Sequence, residues 1–283
     1  MKMQTKAKTP APAGNPPKQI KSIDDLPTTT TNQARLRIFQ ATRRPIFKTQ
    51  TIETSYGIIR IDGKLGQAHA DVLESILFAA EKVGYDREGR IKLLIDPYKI
   101  KKMSGQIGGG KIKGKNRLND ILRDIMATVI EISEPSKLRA MGHIIDDVVD
   151  STVAATGELL TRPNPLKKGG KRVVWTVILG KIGGTLLMND IGIHYNPTHI
   201  ATLPHGVTQA GARIILTHKS QPNGGWHLDT LISQVCGNID GDELRNKRRE
   251  IRSDAEQLRS LGILLRDGRI IKENLNPKNP KSV

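Results

Sequence analysis

The chain contains one cysteine, Cys236, and only 3% aromatic residues among its 283 positions. A single cysteine excludes a disulfide within the chain and is typical of proteins from reducing compartments. One cysteine with scattered histidines also falls short of the roughly four closely spaced ligands that a structural zinc site requires. Because aromatic side chains are so few, the hydrophobic core must be built mainly from aliphatic residues.

Long apolar runs are also missing. No stretch of about 18 apolar residues occurs, which excludes a predicted membrane-spanning helix. The N-terminus carries Lys2, Lys6 and Lys8, but no apolar segment follows them, so it lacks the pattern of a secretory signal. These absences predict a cytoplasmic protein with no membrane partner.

Acidic residues are in deficit. The chain has 45 Lys and Arg against 28 Asp and Glu, which gives a formal net charge of +17. An excess of this size favours association with polyanions, although it carries no information about fold. Since no membrane partner is expected, nucleic acid is the predicted partner.

The composition changes after the first 33 residues. Residues 1–33 are rich in Pro, Thr and Lys and nearly free of large apolar side chains. Such a segment buries too little surface to offset its ordering entropy, so we predict a disordered basic tail. We divide the remainder into a first domain over 34–180, a second domain over 181–275 and a C-terminal tail over 276–283, since the length suits one large domain or two small ones.

Two stretches of the folded part share an order of elements. Hydrophobic spacing and turn residues predict the following in the first stretch: helix 66–84, strand 89–96, short helix 97–105, long helix 116–132, strands 143–155 and 171–179. The second stretch is predicted to contain strand 184–196, helix 207–220, strand 224–229, short helix 229–237, long helix 242–262 and hairpin 263–273. Helix, strand, helix, turn, helix, hairpin is the order of a winged helix. The predicted fold is therefore α+β, with two tandem winged-helix (helix-turn-helix) domains in pseudo-repeat.

The segment 242–262 concentrates arginine on one side of a predicted helix. At about 100° per residue, Leu244, Ile251 and Leu258 fall together as a buried stripe. The arginines occupy an adjoining arc, and Glu250 and Asp254 lie roughly opposite that arc. An ordinary solvated helix would mix charges to gain pairs at four-residue spacing. The segregation favours a recognition helix that enters the major groove of DNA.

The predicted DNA-binding residues come from three basic segments, namely the long helix, the hairpin after it and the Gly/Lys loop before the first long helix. They are Arg245, Asn246, Lys247, Arg248, Arg249 and Arg252, then Arg266 and Arg269, and finally Lys111, Lys113, Lys115 and Arg117. Arginine binds guanine through two hydrogen bonds, asparagine can pair with adenine, and lysine neutralises phosphates. The hairpin arginines fit ordinary edge charges on a two-stranded ribbon equally well.

Enzyme interpretations of the sequence are weak. In the loop 105–115, Gly105, Gly110 and Lys111 match a phosphate-binding loop, but Ile112 stands where that motif needs a hydroxyl for Mg²⁺. A DNA-nicking enzyme would need closely spaced histidines, and the chain has no His-x-His pair. We therefore predict a protein without catalytic residues, cofactor or metal.

One segment carries a family resemblance. Asp229, Thr230, Leu231, Cys236 and Gly237 are followed by the arginine-rich run from Arg245 to Gly262. This arrangement resembles the second winged-helix domain of plasmid replication initiators of the IncQ RepC and TrfA-like kind.

The resemblance implies binding to directly repeated double-stranded sites, called iterons, at a plasmid origin. It also implies opening of the origin, recruitment of replication proteins such as a helicase, and a part in the control of plasmid copy number, with self-association left open. Such initiators have no catalytic residues. The alternative is a winged-helix transcriptional repressor without replication activity, and a basic helix that meets an acidic protein surface is a further one.

Overall fold

The structure is a computed structural model that describes residues 20–54, 57–106, 117–134, 137–154 and 156–273. Over these ranges the protein is a mixed α+β fold in which short helices pack on several small antiparallel sheets. Its buried hydrophobic residues form two clusters, one built from residues before Asn189 and one from residues after Pro197. We call them the first core and the second core.

The α-helices of the described residues run from 4 to 13 residues. In chain order they are α1 (Thr31–Arg35), α2 (Gln67–Ala79), α3 (Pro97–Met103), α4 (Arg117–Ala127), α5 (Lys181–Met188), α6 (Thr198–Ala201), α7 (Gly206–Leu216), α8 (Leu228–Cys236), α9 (Gly241–Ser253) and α10 (Ala255–Ser260).

The strands are also short, with lengths of 2 to 7 residues. They are β1 (Thr29–Thr30), β2 (Lys48–Thr54), β3 (Gly57–Gly63), β4 (Lys82–Tyr85), β5 (Ile91–Ile95), β6 (Val129–Glu134), β7 (Lys137–Gly142), β8 (Ile145–Val149), β9 (Thr161–Pro163), β10 (Lys171–Val173), β11 (Trp175–Leu179), β12 (Gly192–Ile193), β13 (Trp226–His227), β14 (Ile263–Arg266) and β15 (Arg269–Lys272). The largest sheets have the strand orders β2-β3-β6-β7 and β4-β5-β11-β8.

Helix α2 is the central helix of the first core. Val72, Leu73 and Ile76 recur at the helical period and are fully or almost fully buried. The helix contacts α3, α4 and β5 on its apolar side. In the second core, α7, α8 and α9 pack on the sheet β13-β15-β14 through aliphatic side chains, as the low aromatic content requires.

The two cores each contain a sheet of the same connectivity. The orders are β5-β11-β8 in the first and β13-β15-β14 in the second, and all neighbouring strands are antiparallel. In both sheets the strand that comes last in the chain, β11 or β15, lies in the middle. On one side of it is the strand that precedes a short helix, β5 before α3 or β13 before α8. On the other side is a strand that follows a longer helix, β8 after α4 or β14 after α9. The additions in the first core include strand β4 at the edge of its sheet, the β6-β7 hairpin and the β9-β10 ribbon.

Three elements predicted before residue 200 were wrong. The helix predicted over 66–84 ends at Ala79, and Lys82–Tyr85 form strand β4. The helix predicted over 116–132 ends at Ala127, because Ile130 and Ile132 pair with β3 opposite Ile61 and Ile59 and so belong to strand β6. The strand predicted over 184–196 begins inside helix α5, which ends at Met188, and only Gly192–Ile193 of it are strand. Ile182 of α5 is buried in the first core. The first core therefore extends past the predicted domain boundary at 180/181.

The prediction of disorder was wrong for residues 20–33, while 1–19 and the C-terminal tail 276–283 lie outside the described residues. Strand β1 pairs with β12, with Thr29 opposite Ile193. The hydroxyl of Thr28 donates to the carbonyl of Tyr195 at 2.8 Å, and the Ile20 N–H donates to Oη of Tyr85 at 3.0 Å. The segment is ordered because its few apolar and hydroxyl groups find partners that are distant in the sequence.

A buried arginine joins the two cores. Arg213 on α7 donates to three acceptors on α2: from Nε to Glu74 Oε1 at 2.9 Å, from Nη1 to Gln67 Oε1 at 2.6 Å, and from Nη2 to Asp71 Oδ1 at 2.6 Å. These acceptors are four and then three residues apart, so they lie on one face of the helix. Oη of Tyr195 donates to Glu74 Oε1 at 2.7 Å.

Burial makes this contact sensitive to the loss of either partner. The side chain of Arg213 is 4% exposed, and those of Asp71 and Glu74 are 1% exposed. Burial opposes the charge on Arg213, but the two carboxylates raise its pKa above the ordinary value. Burial raises the pKa of Glu74, whose Oε2 has no hydrogen-bond partner among the described residues. Removing one member therefore leaves buried charge without compensation.

We expect Arg213→Ala to lower the free energy of unfolding by about 3–5 kcal/mol, because Asp71 and Glu74 then lose their nearest counter-charge. Urea titration followed by circular dichroism measures the change. Arg123→Ala is the matched control, since Arg123 is 79% exposed and lies 3.7 Å from Asp120, and it should leave stability nearly unchanged. Equal stabilities for the two variants would contradict the importance of the buried contact.

Candidate nucleic-acid interface

Helix α9 carries the arginine-rich sequence, and the structure confirms its predicted buried stripe. Ile251 and Leu258 are buried in the second core, and Leu244 packs against it. The segment predicted as one helix is two, because α9 ends at Ser253 and α10 begins at Ala255. Between them Asp254 is buried and accepts a hydrogen bond from the His205 N–H at 3.3 Å.

The side of α9 away from the core is cationic. Arg245, Arg249 and Arg252 are exposed, and Arg248 is half-buried beside them. We call these four residues the arginine face. Arg245 pairs with Asp242 at 3.0 Å, and Nη2 of Arg249 donates to Oδ1 of the exposed Asn246 at 3.2 Å.

Arg248 is the arginine of this face that another helix holds in place. Its Nε and Nη2 each donate to a carboxylate oxygen of Asp229 at 2.6 Å. Hydrogen bonding to Asp229 raises the pKa of Arg248, and the same contact lowers the pKa of Asp229. Asp229 lies in the first turn of α8, whose N-cap is His227. Among the described residues, the hydrogen bonds of the Arg248 guanidinium are these two to Asp229, and neither uses Nη1.

The hairpin predicted over 263–273 is present as β14-β15, and it borders the arginine face. Asp267 and Gly268 have φ values of 49° and 70°, the left-handed pair that a tight type I′ turn requires. The N–H of Leu228 donates to the Gly268 carbonyl at 3.0 Å, which ties the turn to the start of α8. Arg266 is exposed, whereas Arg269 is half-buried and donates to the Gly225 carbonyl at 3.4 Å.

A shallow cavity of about 300 Å³ lies where α8, α9 and the hairpin meet. It is lined by His227, Leu228, Asp229, Arg245, Arg248, Arg252 and Gly268. Three arginines face one carboxylate there, so the cavity suits an anion or an electronegative base edge.

Lys247 does not join the arginine face. It lies on the opposite flank of α9, half-buried, with Nζ 3.0 Å from Oε2 of Glu250. That flank faces a groove of about 740 Å³ between the two cores, which we call the inter-core groove. It is lined by Ala41, Thr42, Arg43, Arg44, Arg117, Pro204, His205, Gly206, Lys247 and Glu250.

The inter-core groove brings together residues that lie in separate segments of the sequence. Arg117, the first residue of α4, lies there with Lys247, although the two were predicted to contact DNA from different segments. Arg43 and Arg44 were missed, and their signal in the sequence is only an Arg-Arg pair before Pro45. The predicted contacts Lys111, Lys113 and Lys115 lie outside the described residues.

Across the described ranges, no group of three or more His, Cys, Asp or Glu is arranged to hold a metal ion. Burial raises the pKa of the Cys236 thiol to about 11, so the thiol is protonated at neutral pH. No helix within these ranges is long and apolar enough to cross a membrane.

Neither a family model nor a curated protein matches the chain. A solved structure does. The fold is similar to that of domains 2 and 3 of RctB. The match, to a crystal structure of selenomethionine derivatives of those domains, has a TM-score of 0.51 and covers 85% of this chain and 95% of that chain. At 14% sequence identity the similarity concerns the fold alone, and it leaves the resemblance to the IncQ RepC kind a prediction.

We expect Asp229→Ala to release the Arg248 side chain, because both charge-assisted hydrogen bonds are lost. The ¹⁵N relaxation of the Arg248 Nε–H, measured by NMR, should report a lower order parameter in this variant. Asp242→Ala removes the partner of Arg245 on the same helix and serves as control. It should leave the Arg248 signal unchanged, and equal effects of the two variants would contradict a specific Asp229–Arg248 contact.

Proposed function

We propose that the protein binds double-stranded DNA in the manner of a replication initiator. The observation that carries this proposal is the exposed arginine face of α9, set between α8 and a basic hairpin. The fold similarity to domains of RctB, which is a replication initiator, supports the same assignment. The net charge of +17 adds long-range attraction to the phosphate backbone.

We interpret the second core as a winged helix. Its order is α7, β13, α8, α9 and α10, then the β14-β15 hairpin. An α-helix with side chains is about 10–12 Å wide and fits a major groove about 12 Å across. With α9 in that groove, the start of α8 and the hairpin turn reach the neighbouring backbone.

We interpret the first core as a second winged helix with insertions, which makes the protein a tandem pseudo-repeat. The shared sheet connectivity supports this view, because it places α4 where α9 lies in the second unit. Helix α4 is less basic, since Arg117 and Arg123 are balanced by Asp120 and Asp124. Linking two modules would raise the effective concentration of the second at its site.

The contacts of α9 support a division of roles. Asn246 and Arg249 are exposed and bonded to each other, so we assign them to base edges. Arg248 is held by Asp229 beside the hairpin turn, so we assign it to a backbone phosphate. A side chain that contacts a base changes discrimination, whereas one that contacts a phosphate changes affinity for every sequence.

We expect Arg249→Ala to weaken binding to the specific site by about 1–3 kcal/mol, with a smaller loss on random duplex. Arg248→Ala should weaken both about equally and reduce the dependence on salt. Fluorescence anisotropy at several salt concentrations separates the two effects. Arg87→Ala, at an exposed residue in the β4–β5 turn, is the control. Unchanged binding in both α9 variants would refute the recognition-helix assignment.

We further propose that the target is a set of direct repeats at a plasmid origin, and that bound protein promotes origin opening and recruits a helicase. We propose that the protein does this in the cytoplasm with no catalytic site of its own. The alternative of a transcriptional repressor shares the DNA contacts but lacks the replication step.

A plasmid that carries only this gene and its upstream repeats tests that distinction. We expect it to replicate in a suitable host with the wild-type gene and to fail with Arg249→Ala. Failure with the wild-type gene, together with normal repression of its own promoter, would favour the repressor.

A further inference from the structure

The two flanks of α9 differ in what lies beside them. One flank carries Arg245, Arg248 and Arg252 and meets the hairpin turn of the same core. The other carries Lys247 and Glu250 and meets the inter-core groove, whose opposite wall belongs to the first part of the chain. Both flanks therefore border a cationic cavity.

The inter-core groove has more cations than carboxylates along its walls. It is lined by Arg43, Arg44, Arg117 and Lys247, against one carboxylate, Glu250. Glu250 is paired with Lys247 at 3.0 Å, and Arg43 lies 4.0 Å from the buried Asp71. For the side chains of Arg44 and Arg117 no ion pair occurs among the residues that the structure describes, and Arg44 is exposed. An anion that enters the groove would therefore not have to displace an existing pair to reach them.

The wall of the groove is already formed. Nη1 of Arg43 donates to the carbonyls of Ala201 at 3.2 Å and Leu203 at 2.9 Å, so its guanidinium is fixed at the base of the groove. The start of α7 is pressed against residue 42, since a Cβ on Gly206 would lie 2.5 Å from the Thr42 Cα. Because Arg43 is held in place, it loses little entropy when it binds a ligand.

The geometry of double-stranded DNA indicates which anion would reach the inter-core groove. A helix that fills a major groove has a phosphate backbone on each side. We propose that the inter-core groove binds the phosphodiester backbone of the strand on the side of α9 opposite the hairpin, through Arg44 and Arg117 with support from Arg43 and Lys247. The proposal rests on the proposed docking of α9. It makes the first core part of the same DNA contact, next to the helix that reads the bases.

The test is a double variant, Arg44→Ala with Arg117→Ala, in the full chain. Loss of two phosphate contacts should make the slope of log affinity against log salt less negative by about 2. From 50 to 200 mM salt, the variant should therefore lose about tenfold less affinity than wild type. The loss of affinity at low salt should be the same for specific and random duplex, because phosphates carry no sequence.

Three comparisons make the result decisive. Arg44→Lys with Arg117→Lys keeps both charges and should retain most of the slope, whereas Arg87→Ala should match wild type. In ethylation interference, the alanine double variant should no longer be sensitive to ethylation of phosphates on one strand, whereas its sensitivity on the other strand should match wild type. An unchanged slope and footprint in a variant with the wild-type unfolding midpoint would overturn the proposal. If Arg249→Ala still lost discrimination, the proposed function would stand without it.

A free nucleotide is the other source of phosphate. Titration calorimetry with ATP and with pyrophosphate distinguishes it from DNA. We expect only weak binding of either compound. Tight ATP binding that the alanine double variant abolishes, with duplex affinity unchanged, would overturn the proposal in favour of a nucleotide site. Absence of any duplex binding by the wild-type chain would instead refute the proposed function itself.

Discussion

The contact between Arg213 and helix α2 fixes how the two cores meet, and the candidate interface depends on it. One guanidinium reaches three acceptors spread over two turns of α2, with distances of 2.6–2.9 Å. Such a fork has one orientation that satisfies all three bonds, so α7 cannot slide along α2 without breaking them. The start of α7 is thereby set against Thr42, and the inter-core groove beside α9 follows from that placement.

Buried charge of this kind specifies an arrangement more than it adds stability. Replacing such an ion pair by well-packed apolar residues is often neutral, whereas breaking it is costly. Here the pair lies between two cores that each have their own aliphatic interior. An apolar interface would tolerate several relative positions of the cores, and the directional bonds of Arg213 select one of them.

Local signals in the sequence were enough to predict two features of the second core. The stripe of Leu244, Ile251 and Leu258 and the Asp267-Gly268 turn each depend on residues close in the chain, and both were predicted. Features decided by distant partners were not. The apolar run from Val129 continues the stripe of α4, and only pairing with β3 makes it a strand. Threonines 28–30 have the polar composition of a disordered tail, and they are ordered because β12 and the residues after it supply hydrogen-bond partners.

The polar face of α2 is another feature that depends on a partner distant in the sequence. Gln67, Asp71 and Glu74 have the pattern of a solvent-exposed side, yet they are buried because Arg213 comes from more than a hundred residues later. The candidate site divides in the same way. The arginine face could be predicted from helical spacing, whereas the groove needs Arg43, Arg117 and Lys247 to converge from three separate elements. Spacing along one helix cannot show which flank another element will cover.

The break at Asp254 has a geometric consequence for any duplex that α9 enters. A straight helix of 13 residues is about 20 Å long. The floor of a major groove curves around the DNA axis, so a longer rod would leave it at one end and collide with the sugar-phosphate rim. Asp254 interrupts the helix after Ser253, and Leu258 of α10 is buried in the second core. In the proposed docking, the number of base pairs within reach of α9 is therefore limited by the position of a buried carboxylate.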